Sequence, residues 1–514
     1  MSNKILNNPK KNIILVGCGP HAKRIYLPCI KKFSKKMNFN LSLIVDLKIN
    51  ENKVKKFLKK INLKADLLFI ENCDMSFKKL NKKIKKYLEN YITQNDISGV
   101  LISSEPLTHL MYASWALKNG LHILADKPLS TYQNISTKES LGAKTLQDFI
   151  LLNNLYTKAK QKNKDISFTV MSQRRFHPAY QRIKELIKEC FDKTNCPITS
   201  IQSFHSDGQW RMPSEIVNQL YHPYMQGYGK CSHSGYHFFD LIPHFLESCT
   251  NNEKSYDNLE IVSNFVRPND FYKQLNFNDY YKIFGKKKFT KYSIMSEDEI
   301  SKLSKKFGEI DAFNNIIFKK GNNIITIASL NLIHNGFGQR HWLSNKGKDL
   351  YKGNGRIRHE SHIIEQGPFQ SIHFHSYQSY EVDPKRTKNI FKIGGEKHID
   401  IYIFRNIMIF DKEFEIINIK ELNENILKKR SRGHQEDARV KGFIEFIERM
   451  QSIKKSDFTS DLTSHFMSSV IFSGVYRSGA KQFHNKPNRI KINLLKYKNQ
   501  LKKPLKENDK KTKV

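Results

Sequence analysis

An α/β fold is predicted, with a doubly wound parallel sheet first and a C-terminal α+β domain carrying a largely antiparallel sheet behind it. Three observations predict it. The stretch Lys11 to Ala22 (KNIILVGCGPHA) is an apolar run ending in a glycine turn and a helix start. Short apolar runs then alternate with helical stretches up to about residue 130. From Leu259 onward strand patterns recur with little helix between them.

The elements follow in order. Ile13–Val16 reads as a buried strand, and Gly17 permits the tight turn after it. Gly19 lets a pyrophosphate approach the backbone, and Ala22 is small enough for the helix to pack on the strand. Pro20 and His21 open that helix, which is predicted to run from Pro20 to Phe33 and to leave N–H groups facing an anion. Leu41–Asp46 is a second strand. Its terminal Asp46 can accept hydrogen bonds from an adenosine ribose, which selects NAD, whereas Lys48 nearby would favour the 2′-phosphate of NADP. Asp66–Ile70 is a third strand, followed by a basic helix from Phe77 to Tyr91. Gly99–Ser104 is a fourth strand, Glu105–Leu117 a helix closed by Asn119-Gly120, and Leu121–Leu124 a fifth strand running into Asp126-Lys127-Pro128. This βαβ spacing predicts right-handed crossovers and a ligand at the carboxyl ends of the strands.

The composition narrows the classes. The chain has 514 residues, enough for two or three domains, and 39% of them are hydrophobic, which excludes wholesale disorder. The N-terminus is polar and basic, and no window reaches a membrane span, so a cytoplasmic protein is expected. Seven scattered cysteines without CxxC pairs suit reduced thiols. A net charge of +38 attracts anions, but no nucleic-acid-binding module accompanies it, and nucleic acid is not the expected partner.

The segment SSEPLTHLMYASWALKNGLHILADKPLS resembles the one that marks the glucose–fructose oxidoreductase/inositol dehydrogenase/MocA (Gfo/Idh/MocA) family. There a Pro-x-x-His opens a helix, a glycine closes it, and a strand leads into Glu-Lys-Pro. Pro106, His109, Gly120 and Asp126-Lys127-Pro128 take those places, with Asp for Glu. The resemblance implies NAD or NADP as cofactor, held by Gly17, Gly19, Pro20, His21, Ala22, Asp46, Ser103, Ser104, Pro106, His109, Asp126, Lys127 and Pro128. It also implies that Lys127 lies between nicotinamide and substrate, and that the Lys127–Pro128 peptide is cis. An ammonium there would stabilise a developing alkoxide.

Beyond a helix over Leu146–Lys162 and a strand over Ile166–Met171, Arg174-Arg175-Phe176-His177-Pro178 resembles the family's crossing into the substrate domain, leaving Arg174 to contact substrate. The stretch Gly229–Asp240 (GKCSHSGYHFFD) resembles the family's Asp-x-Gly-x-His-x-x-Asp helix, with Gly235, His237 and Asp240 matching and His233 in place of the first acid. On a helix, positions 233 and 237 share a face. His237 is the candidate acid/base and His233 its helper or a substrate ligand. A metal on this histidine pair would need a third ligand, and none is identifiable.

Residues 1–130 are thus expected to form the dinucleotide-binding domain, closed by helices within 436–480 (Arg439–Met450 and Leu462–Arg477). Residues 131–485 would form the substrate and oligomerisation domain, with insertions near 276–313 and 342–370, the latter a lid or substrate loop in preference to a mere surface insertion, and residues 486–514 a partly disordered basic tail. The implied activity is hydride transfer between nicotinamide and a hydroxyl-bearing carbon of a sugar, cyclitol or nucleotide-sugar, with an anionic derivative attractive and a homo-oligomer formed through the C-terminal sheet. The missing acid at 233 keeps a second reading open, a non-catalytic NAD(P)-binding sensor or assembly subunit.

Overall fold

The computed structural model describes residues 9–71, 79–208, 210–220, 222–340, 343, 355–379, 390–422 and 434–502. The first sheet has six strands, β1 (Lys11–Val16), β2 (Phe39–Leu47), β3 (Asp66–Ile70), β4 (Ile97–Ile102), β5 (His122–Ala125) and β6 (Phe168–Val170). Their order is β3-β2-β1-β4-β5-β6, and every neighbouring pair is parallel. This is the doubly wound order whose switch point lies between β1 and β4. The apolar runs are explained by burial on both faces. Ile14 and Val16 of β1 point into one core, and Ile13 and Leu15 into the core on the opposite face.

Several boundaries differ from those expected. The helix Pro20–Phe33 is two helices, Pro20–Arg24 and Tyr26–Phe33, because Pro28 has no N–H to offer the carbonyl one turn earlier. A helix over Glu51–Ile61, which buries Val54 and Leu58, escaped the sequence reading. The basic helix starts at Lys82, behind an N-cap Asn81 that accepts from the Lys83 amide; part of its expected first turn lies outside the described residues. Pro106–Thr108 is a separate 3-10 turn before the helix His109–Lys118. β6 joins the first sheet beside β5, so that sheet draws on residues past 130.

The second sheet has nine strands in the order β14-β13-β12-β11-β7-β10-β9-β8-β15. They are β7 (Ser200–Gly208), β8 (Asn258–Val266), β9 (Asp311–Lys320), β10 (Asn323–Ile333), β11 (Ile357–Gln366), β12 (Gln370–Gln378), β13 (Asp400–Arg405), β14 (Phe414–Asn418) and β15 (Ile490–Asn493). Only β7 and β10 pair in parallel. The helices Glu139–Lys162, Pro178–Thr194, Tyr236–Leu246 and Phe466–Phe483 contribute to a core with one face of this sheet. Helix Phe466–Phe483 approaches it closely: a Cβ on Gly474 would lie 2.4 Å from Ile261, and one on Gly479 2.2 Å from Phe265.

Two expectations about the second part are corrected. Within 342–370 the described residues are 343 and 355–370, and they hold β11, an interior strand rather than a loop; of its residues Arg358 lines the cavity described below. Of the two closing helices, His434–Met450 packs on the first sheet through Phe443, Phe446, Ile447 and Met450, whereas Phe466–Phe483 belongs mainly to the core of the second. The stretch 276–313 contains the helices Phe277–Phe284, Lys286–Tyr292 and Glu297–Ser304 and the start of β9. The basic tail supplies β15 and the helix Leu494–Lys502, and residues 503–514 lie outside the described set. Among the described residues no helix is long and apolar enough to cross a membrane.

Candidate active site

A cavity of about 540 Å³ opens where the carboxyl ends of the first sheet meet the second sheet and its helices. A volume of this size is typical of small-molecule and cofactor sites. Gly17, Gly19, Pro20 and His21 line one end of it, with Asp46 beside them. Ser103, Ser104, Pro106 and His109 form a wall, and Asp126 and Lys127 reach its middle. Arg174, His233 and His237 close it from the other side. Ala22 and Pro128 do not line it: Ala22 is in the core beneath the turn, and Pro128 acts through its carbonyl.

The glycine turn is built as a cradle. Gly17 has φ +88°, and a Cβ on it would lie 2.5 Å from the Ser103 carbonyl oxygen. Such a contact admits only glycine. A Cβ on Gly19 would meet nothing within 4 Å, so this backbone faces open space. Asp46 braces the turn: Oδ2 accepts from the Cys18 amide at 2.7 Å, and Oδ1 from the Leu47 amide at 2.6 Å and Asn50 Nδ2 at 2.8 Å. Lys48 is turned to Glu51 at 2.7 Å.

The segment 126–128 is pinned from two directions. Asp126 accepts from Tyr26 Oη at 2.5 Å and Ser103 Oγ at 2.7 Å, and His21 Nε2 lies 3.6 Å from it. Burial alone would raise this carboxyl, but His21 and these hydrogen bonds hold it below its ordinary value. His109 places Nδ1 2.7 Å from the Pro128 carbonyl and Nε2 3.0 Å from the Ser104 carbonyl, tying the two strand ends together. Ser104 Oγ pairs with Thr108 Oγ1 at 2.7 Å. The Lys127–Pro128 peptide is cis.

Lys127 Nζ donates to the carbonyl of His233, so the amine reaches from the end of the first sheet to the turn Cys231–Gly235. Burial lowers its pKa to about 7; Asp126 opposes the shift, and Arg439 and Arg174 add to it. His233 lies in a π turn, Cys231–Gly235, that runs into the helix Tyr236–Leu246 carrying His237. Such widened turns are frequent at functional sites. Both imidazoles line the cavity and are 5% exposed; neither ring nitrogen of His233 nor Nδ1 of His237 has a hydrogen-bond partner. Burial, with the Lys127 charge assisting, holds both well below the usual histidine range. The His233 ring packs against His222 at 4.5 Å between centroids.

Arg174 is a correction in part. It lines the cavity, but Nε and Nη2 form a bidentate pair with Glu360 at 2.9 and 2.6 Å, and its plane lies over Phe238 at 4.1 Å. It thereby ties β11 to the helix Tyr236–Leu246. Arg175 pairs with Asp240 in the same fashion, at 2.9 and 2.7 Å, away from the cavity. No group of His, Cys, Asp or Glu able to hold a metal ion occurs among the described residues.

No protein-family model and no curated protein sequence matches the chain. Solved structures do. An oxidoreductase from Agrobacterium radiobacter, in complex with NAD+, L-tartaric acid and magnesium, aligns over 95% of this chain and 99% of its own, with a TM-score of 0.54 and 10% identity. A levoglucosan dehydrogenase in complex with NADH and levoglucosan aligns over 94% and 99%, with a TM-score of 0.54 and 13% identity. An oxidoreductase domain protein from Kribbella flavida gives 0.55 at 10% identity over 92% and 98%. The chain shares the fold of these oxidoreductases.

Several residues of this fold's cavity escaped the sequence reading. Tyr26 could not be linked to Asp126, a hundred positions away. Arg439 reaches the cavity from the closing helix. Asp207 and Arg358 lie on strands that were not recognised, with Arg356 just ahead of β11, yet a signal existed: Ser203, His205 and Asp207 alternate along β7, as Arg358, Glu360 and His362 do along β11. Polar residues at period two mark a strand face turned to a wet site.

Proposed function

We propose that this protein is an NAD(P)-dependent oxidoreductase acting on a hydroxyl-bearing carbon of a small sugar-like molecule. One observation carries the reading: the glycine cradle, Asp46, Lys127 and His237 line a single cavity. The fold's neighbours named above, one bound to NAD+ and one to NADH and levoglucosan, support it. The donor set fits a dinucleotide. Open space above Gly19 admits a pyrophosphate, and Asp46 Oδ2, with one acceptor position left beside the Cys18 amide, suits a ribose hydroxyl. The dinucleotide, when bound, supplies the hydride acceptor or donor.

The chain's own residues do the rest. Lys127, fixed through Asp126 and the His109 strut, hydrogen-bonds the reacting oxygen and stabilises its partial negative charge. With a pKa near neutrality the amine can also take the hydroxyl proton. His237, neutral and with Nδ1 unpartnered, is the second proton carrier. His233 holds Lys127 through its carbonyl and presents its ring to the substrate. Lys48, engaged by Glu51, leaves Asp46 to favour NAD over NADP. The outer face of the second sheet, with Phe313, Ile327, Phe404 and Phe414 exposed, is the surface by which copies would pair.

The test is a fluorescence titration with NADH, followed by turnover across sugars, cyclitols and their acids. Micromolar NADH binding with turnover that Lys127→Met abolishes is expected. Absence of NADH binding at millimolar concentration overturns the reading; binding without turnover on any member of the panel favours a non-catalytic sensor.

A further inference from the structure

The turn that carries His233 starts from a contact that the hydride transfer does not itself use. Glu309 stands two residues before β9 and is 0% exposed. Its Oε1 accepts from the Gly229 amide at 3.2 Å, the Cys231 amide at 2.9 Å and Tyr476 Oη at 3.0 Å, and its Oε2 accepts from Ser136 Oγ. Its backbone carbonyl accepts from the Lys230 amide at 2.9 Å. The consecutive amides of Gly229, Lys230 and Cys231 are thus all held by one residue. Such amides are the ones that the start of a helix leaves without an intrahelical acceptor. The first bond of the turn itself follows at once, from the His233 amide to the Gly229 carbonyl at 2.9 Å.

The two segments cross at the closest approach backbones allow. A Cβ on Gly229 would lie 1.9 Å from the Glu309 carbonyl oxygen, and one on Gly308 2.0 Å from the Tyr228 carbonyl carbon, so only glycine fits either place. The same contact extends towards Lys127. Tyr476 Oη pairs with Ser232 Oγ at 2.6 Å, and Ser232 Oγ with Thr131 Oγ1 at 3.1 Å, just past Lys127-Pro128. The amides and hydroxyls that reach the Glu309 side chain are neutral donors, so they call for its length rather than its charge. Glu309 is not among the residues lining the cavity, whereas His233, Ser234 and His237, which follow from the turn it holds, all are.

We infer that Glu309 is a positioning residue for the reaction: by holding the amides of Gly229, Lys230 and Cys231 it sets where the His233 carbonyl and the two imidazoles stand, and through that carbonyl where Lys127 Nζ stands. A displacement of about 1 Å at a reacting group can cost about a hundredfold in rate, which lets a residue outside the cavity govern what happens in it. This rests on the oxidoreductase reading above for the reaction, but not for the effect on Lys127.

Two variants separate length from charge. Glu309→Gln keeps the length, with an oxygen for the amides and Tyr476 and an NH2 for Ser136 Oγ; Glu309→Asp keeps the charge and is one methylene short. Competitive acetylation of the full chain with acetic anhydride across a pH series, read at Lys127 by mass spectrometry, gives the pKa of that amine without a substrate. NADH titration and kcat on the sugar panel are read beside it. The parent amine should titrate at about 7, and Glu309→Gln should match it. Glu309→Asp should raise the Lys127 pKa by about one unit or more, because a loosened turn admits water to the amine, and lower kcat by about tenfold or more, with NADH affinity kept. Asp126, Asp207, Arg174 and Arg439, the charges that act on the amine, are untouched by either change. Tyr476→Phe, which removes one donor to the same oxygen, is the milder variant; it should shift Lys127 in the same direction and decides the matter should Glu309→Asp not fold. An unmoved Lys127 in Glu309→Asp and Tyr476→Phe, or a shift in Glu309→Gln as large as in Glu309→Asp, overturns the inference. So does a shift in Glu309→Asp accompanied by loss of NADH binding, which marks general loosening. A parent protein that shows the Lys127 response but binds no NADH overturns the oxidoreductase reading instead.

Discussion

Replacing Lys127 by Met should stabilise the protein while abolishing its chemistry. The buried amine has a pKa of about 7 in the fold against 10.5 in the unfolded chain. At pH 7 the unfolded state therefore binds more protons, which disfavours folding by about 4 kcal/mol. Met keeps the length and apolar stem but carries no proton. It forfeits the hydrogen bond to the His233 carbonyl, about 1 kcal/mol, so about 3 kcal/mol of stabilisation remains. The sign reverses nowhere in the accessible range. The lysine penalty is complete below pH 7 and shrinks as pH rises towards 10.5, because there the unfolded chain loses its extra proton. Urea unfolding of both proteins at pH 7 and pH 10 tests this: the variant's midpoint should be higher at pH 7 and the gap should narrow at pH 10. A variant no more stable than the parent at pH 7, or a gap independent of pH, refutes the argument that Lys127 is held against its own solvation.

Three further outcomes are expected. NADH should bind at least tenfold more tightly than NADPH in fluorescence titrations, because Asp46 would face a 2′-phosphate and Lys48 is engaged by Glu51; equal affinities contradict this assignment. His233→Asp puts a carboxylate one turn from His237 and beside Lys127, so the Lys127 pKa should rise by about one unit or more and the pH–rate profile for alcohol oxidation should move to higher pH with it; an unmoved profile removes Lys127 from the proton path. Glu360→Gln leaves Arg174 buried without its ion pair and should destabilise by about 3–5 kcal/mol in urea unfolding, and adding Arg174→Met should recover most of that; strictly additive losses would show that the pair is not coupled.

What the sequence disclosed follows from where each strand is buried. β1 to β5 lie in a parallel sheet covered on both faces, so Ile13–Val16 or Ile123-Leu124 stand out as unbroken apolar runs. β7 went unrecognised and β11 was read within a loop, although Ser203-x-His205-x-Asp207 and Arg358-x-Glu360-x-His362 alternate as strands must, with His205, Asp207 and Arg358 reaching the cavity. The residues that bind by backbone geometry, Gly17 and Gly19, were legible because only glycine satisfies the turn. Arg174 was open to misreading because its partner Glu360 lies far along the chain, and no local pattern announces a buried ion pair. The π turn at Cys231–Gly235 was equally hidden, since the spacing of His233 and His237 fits a regular helix as well.

His233 connects the two halves of the chemistry. A carboxylate at that position would neutralise Lys127. An imidazole held neutral by burial does not, so the amine experiences Arg439 and Arg174 with Asp126 and Asp207 as its opposing charges. The same exchange leaves Lys127 a base near neutral pH. The Lys127 ammonium lowers the free energy of a developing alkoxide by fixed positive charge in a site of low polarisability. The departure at position 233 is therefore consistent with a working site of altered charge, and the His233→Asp variant separates that account from lost function: it should raise the Lys127 pKa while turnover persists.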